Sequence, residues 1–104
     1  MLFVSDDGES IVGSFDAMTG LWRPSLEQPV LFFFHDKGTR ARMVTVGDLY
    51  QRKSQLEHSE TYFHWAHYVY LNKANQVVVE LADGRRVAFA ASTGLVQPLI
   101  TDGT

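Results

Sequence analysis

Cysteine is absent from the 104 residues. Its absence excludes disulfides, thiolate-held metals and a cysteine nucleophile. Proline is scarce, at three residues, and two of them, Pro24 and Pro29, bracket one short segment. Positive charge is in deficit: nine Lys and Arg stand against twelve Asp and Glu, a formal net charge of −3. Small nucleic-acid-binding domains ordinarily carry a basic excess, because phosphate contacts dominate their affinity, so nucleic acid is not a favoured partner. Long apolar runs are missing too. They stop at five residues, as in Val30–Phe34, against the roughly 20 a membrane helix needs. The apolar start Met1–Val4 is followed at once by Asp6 and Asp7, with no base before it, unlike an export signal. A soluble cytoplasmic protein without membrane attachment is expected.

What is present fits ordinary globular usage: 45% hydrophobic and 20% charged residues, enough for one domain over 1–104 with a single core. Charge is uneven along the chain. Residues 1–36 hold six acids and one base, whereas 37–104 hold six acids and eight bases. Short apolar runs separated by turn residues suggest antiparallel β structure. Strands are expected at Leu2–Ser5, Ser10–Phe15 and Val30–His35, with Arg40–Val46 as hairpin partner of the last and a short strand starting at Leu21-Trp22.

One helix is expected near 46–58. Thr45 and Asp48 match a capping pattern, and Val46, Leu49, Lys53 and Leu56 recur at helical spacing. His58 would then lie at its C-terminal end, where a cation is favoured. Residues 62–71 read either as strand or as helix. Their aromatic and β-branched content selects strand, with Phe63, Trp65, His67, Val69 and Leu71 on one face and Tyr62, His64, Ala66, Tyr68 and Tyr70 on the other. Gln76–Leu81 and Arg85–Ala90 form a hairpin. A three-residue loop, Ala82-Asp83-Gly84, pairs Leu81 with Arg85, Val79 with Val87 and Val77 with Phe89, and puts Gly84 in the left-handed region. The expected fold is α+β: a mostly antiparallel twisted sheet of five to seven strands, with a half-open barrel as variant, and the helix packed on one face.

Motifs for chemistry are sparse. Gly-x-Ser-x-Gly, Ser-x-x-Lys and the glycine-rich phosphate loops are all absent. No cofactor is expected. His64 and His67 would share a face only on a helix, so no metal site is expected on a strand. His35-Asp36 is an acid–base pair in composition, but neighbours on a strand point apart, and a turn beginning at Asp36 is the favoured explanation. The tyrosines are the anomaly. Tyr62, Tyr68 and Tyr70 on one strand face, with Trp65 on the same strand, are residues of the kind enriched at interfaces. Arg40 and Arg42, with Arg85 and Arg86, would form a basic patch if their strands were neighbours. A non-catalytic module that binds another protein or itself through the aromatic strand is therefore expected, with Tyr62, Trp65, Tyr68, Tyr70, Arg40 and Arg42 as binding residues. The alternative is a small-ligand or enzymatic pocket between helix and sheet, with His64, His67 and Tyr68 as acid–base groups.

Overall fold

A computed structural model describes residues 2–4, 8, 10–14, 21, 25–35, 39–52, 55–58 and 63–100, with the backbone alone at 39–41, 57 and 58. The chain folds into two four-stranded antiparallel sheets rather than a single sheet of five to seven strands. The first sheet has the order β1 (Leu2–Val4), β2 (Ser10–Ser14), β3 (Pro29–His35) and β4 (Thr39–Thr45). A two-stranded piece joins β5 (Glu57–His58) to β6 (Phe63–His64). The second four-stranded sheet contains β7 (Ala66–Leu71), β8 (Gln76–Leu81), β9 (Arg86–Ala90) and β10 (Val96–Gln97), in spatial order β10-β9-β8-β7. The α+β description holds loosely, because the one helix among the described residues is short and the sheets do not close into a barrel.

The sheets bury their facing sides in one core. Val12, Leu31, Phe33 and Val44 come from the first sheet, and Val69, Val77, Val79, Leu81 and Phe89 from the second. Phe33 and Phe89 meet across the gap with ring centroids 5.8 Å apart. Trp65 lies in the same core, completely buried.

The β8–β9 hairpin has the register expected from its loop. Val77 lies opposite Phe89 and Val79 opposite Val87. Gly84 N donates to Leu81 O at 2.9 Å, and Gly84 has φ +91°. Only glycine adopts that conformation without a steric penalty.

The helix is shorter than its sequence pattern suggests: α1 covers Val46–Leu49. Its start follows the expected capping, with Thr45 N donating to Asp48 Oδ2 at 2.8 Å. It stops because Tyr50 turns extended, at φ −133° and ψ 145°. That geometry carries the Tyr50 hydroxyl to the second sheet, where it donates to Trp65 O and accepts from Ala82 N at 2.9 Å. Two hydrogen bonds in a buried site outweigh the weak propensity of a narrow stripe that includes Lys53. His58 therefore belongs to β5 and not to a helix end.

Gln76 is the main buried polar side chain of the second sheet. Its Nε2 donates to Gln97 Oε1 at 3.0 Å and to Pro98 O at 2.9 Å. Its Oε1 accepts from Ile100 N at 2.9 Å and from Asn72 Nδ2 at 3.1 Å. Every hydrogen-bonding position of the amide is filled. No helix among the described residues is long and apolar enough to cross a membrane.

Candidate protein-binding face

Strand β7 is an edge of its sheet among the described residues, and its register explains which side chains face out. Val69 and Leu71 lie opposite Val79 and Val77, on the core side. Tyr70 lies opposite Val78, and Tyr68 opposite Glu80, on the other side. Between Ala66 and Tyr68 the ladder shifts, leaving His67 as the extra residue of a β-bulge. A bulge resets the alternation of faces. This corrects the face assignment expected for 62–71. Trp65 and Ala66 are both buried, and His67, expected on the side of Val69, is exposed.

Tyr68 and Tyr70 are 40% and 38% exposed, and their ring centroids lie 5.8 Å apart. Polar groups frame them. Arg86 Nη2 donates to the Tyr68 hydroxyl at 3.3 Å. Glu80 pairs with His67 through Oε2 at 3.3 Å and with Arg86 through Oε1 at 3.8 Å. The result is a small aromatic platform with a charged rim. Such ion pairs at an exposed surface contribute little stability.

The other residues singled out in the sequence fall elsewhere. Trp65 is buried in the core and presents no surface, and its Nε1 has no partner among the described residues. Arg42 lies opposite Phe33 on the inner side of the first sheet, with Nε buried, so it does not join Arg86. Arg85 points a third way, donating through Nη2 to Leu49 O at 2.9 Å. The four arginines therefore form no common patch among the described side chains. Arg40 is described by its backbone alone, and Tyr62 and Asp36 lie outside the described residues. His35 approaches Ser10, with Nδ1 3.3 Å from Oγ.

A cleft does lie beside the helix, with a volume of about 480 Å³, lined by Asp48, Tyr50, Gln55, Asp83 and Arg85 among others. It is open and mostly polar, and none of His64, His67 and Tyr68 lines it. Asp83 is held below the ordinary carboxylate range. The chief cause is the main-chain N–H of Arg85, opposed by partial desolvation and reinforced by the Arg85 side chain, whose Nε lies 2.7 Å from Oδ2. Arg85 also lies over the Tyr50 ring, 5.9 Å from its centroid. His64 is half-buried on β6, apart from the bulge that carries His67. No cluster of three or more His, Asp or Glu suited to a metal occurs among the described residues.

No family model matches the chain, and neither a curated protein nor a solved structure matches it. Sequence reasoning also missed one surface entirely. Leu2, Val4, Ile11 and Met43 are exposed on the first sheet. Alternation within each short strand was a signal for it, but the pairing that gathers these residues on one face was not legible.

Proposed function

We propose that this protein is a non-catalytic module that binds a partner protein through Tyr68 and Tyr70 of β7 and the Glu80 and Arg86 side chains beside them on β8 and β9. The observation that carries the proposal is the pair Tyr68–Tyr70, exposed side by side on an edge strand. Two large rings with hydroxyl tips provide contact area at a low entropic cost, and the Arg86–Glu80–His67 rim supplies orientation. A cytoplasmic setting is part of the same proposal, in keeping with a cysteine-free chain. The test is chemical cross-linking in cells followed by mass spectrometry, comparing the native chain with Tyr68→Ser/Tyr70→Ser. The proposal expects cross-links from the 66–71 strand to a recurrent protein, lost in the variant while its thermal unfolding midpoint holds. Equal cross-linking by both chains would overturn it.

A further inference from the structure

Strand β7 has no neighbour along its outer main-chain edge among the described residues, and the ladder shows which groups point there. Asn72 N donates to Gln76 O at 2.9 Å, so Asn72 turns its N–H towards β8. An antiparallel ladder alternates, so Tyr70 and Tyr68, opposite Val78 and Glu80, also turn their main-chain groups towards β8. Val69 and Leu71, opposite Val79 and Val77, turn theirs outward. The other parity of β8 serves β9: Leu81 N donates to Arg85 O at 2.7 Å, and Val79 and Val77 follow in the same ladder. The outward N–H and C=O groups of Val69 and Leu71 have no hydrogen-bond partner among the described residues. This open edge is short and bounded at both ends. The bulge at His67 closes it on one side, and the turn that opens at Lys73 closes it on the other. Between them, residues 68–72 carry no charge and no proline, two of the devices that keep edge strands from pairing.

We infer that a second copy of this chain pairs along this edge, β7 antiparallel to β7, about a two-fold axis through Tyr70 and normal to the sheet. The open window is symmetrical about its own centre, with one outward-facing residue on each side of Tyr70, and so is complementary to itself. Val69 then lies opposite Leu71 of the second copy, and Leu71 opposite Val69. Each outward N–H finds a C=O, and no outward group is left over. Other axes fail on the boundaries of the window. A two-fold at Val69 would set Leu71 against His67, where the bulge breaks the alternation, and one at Leu71 would set Val69 against Lys73, in the turn. Tyr70 meets its own counterpart as a non-hydrogen-bonded pair, with Cα atoms roughly 4.5 Å apart, a position where aromatic pairs are favourable. The two four-stranded sheets become one continuous sheet, and the two Tyr68–Tyr70 pairs become one platform across the axis. The contact uses the main-chain edge of the strand whose side chains form the proposed partner face, and it does not require that partner.

Sedimentation velocity of the full chain alone, across the micromolar range, tests the inference without any partner present. A concentration-dependent dimer is expected. Tyr70→Lys sets like charges against each other at the axis and should return the chain to monomer. Tyr70 is 38% exposed, so the thermal midpoint should hold. Because the chain has no cysteine, single cysteines report the register. Tyr70→Cys under mild oxidation should give a covalent dimer, since the two thiols fall within disulfide reach. Tyr68→Cys should link far more slowly, because its counterpart lies four residues further along the second strand, about 13 Å away. A monomer at every concentration, a dimer untouched by Tyr70→Lys, or Tyr68→Cys linking as readily as Tyr70→Cys would overturn the inference. A dimer that obeys these variants while cross-links to another protein are missing in cells would uphold it and overturn the partner reading alone.

Discussion

The hydroxyl of Tyr50 donates to the main-chain carbonyl of Trp65, and the same oxygen accepts the N–H of Ala82. One side chain from the end of the helix thus ties the start of β7 to the hairpin loop after β8. Tyr50→Phe leaves both main-chain groups without that partner, in a site where the ring is 2% exposed. A loss of about 1–3 kcal/mol is expected by urea unfolding, with the denaturant slope unchanged.

Two glycines in the left-handed region should respond differently to the same substitution. At Gly84, φ is +91° and a Cβ would meet nothing within 4 Å. Gly84→Ala should cost roughly 1 kcal/mol, the conformational penalty alone. At Gly94, φ is +75°, and a Cβ would lie 2.8 Å from two Phe33 ring carbons and 2.9 Å from Arg42 Cβ. Overpacking adds roughly 1–3 kcal/mol, so Gly94→Ala should be clearly the more damaging in a paired thermal melt.

Alternation along β8 predicts that Val79→Ala costs more than Val78→Ala. Burial changes that expectation, because Val77, Val78 and Val79 are all 0% exposed. Val78 lies on the side opposite the main core, between Tyr70 and Ala88 in the register. Both substitutions should cost roughly 1–3 kcal/mol by denaturant titration. A Val78→Ala variant as stable as the native chain would show that its side of the sheet is open.

Asp83 gives a pH signature. Its carboxyl is held below the ordinary 3.8, chiefly by the Arg85 N–H. The unfolded chain then binds the proton more readily than the folded one, so stability rises with pH across that window. The contribution is complete above the ordinary value and is lost as pH falls through the lowered one. Asp83→Asn should therefore differ from the native chain at neutral pH and converge with it in acid, as read by melts between neutral pH and strong acid. Asp83 is exposed, so the difference should be small.

The parts of the fold legible in the sequence were those set locally. The register of β8 and β9 follows from the Ala82-Asp83-Gly84 loop and from alternation on both sides of it. The cap at Thr45 and Asp48 is likewise a matter of neighbours. The helix end was not legible, because Tyr50 leaves the helix for partners 15 and 32 residues away. The bulge at His67 was hidden for a related reason: one inserted residue reverses the faces on either side of it, and no residue type announces it. The tyrosine platform survived that error, since Tyr68 and Tyr70 lie beyond the bulge. Ala66, expected on their side, is buried before it.

The amide of Gln76 gathers the chain's last described segment around one side chain, beside the β10–β9 pairing and an Asn72 Nδ2 bond to Ile100 O at 3.3 Å. It holds Gln97, Pro98 and Ile100 against Asn72, so the turn at one end of β8 and the tail crossing it share one set of bonds. They should open together as one unit in hydrogen exchange, with Ile100 N–H and the Gln76 main-chain N–H, itself bonded to Asn72 Oδ1, showing matched protection. Gln76→Glu, of nearly the same shape, replaces a donor of two bonds by an acceptor facing two oxygens. The segment 98–100 should then exchange faster at neutral pH while the β8–β9 hairpin keeps its protection, turning a fixed segment into a tethered one without touching the core.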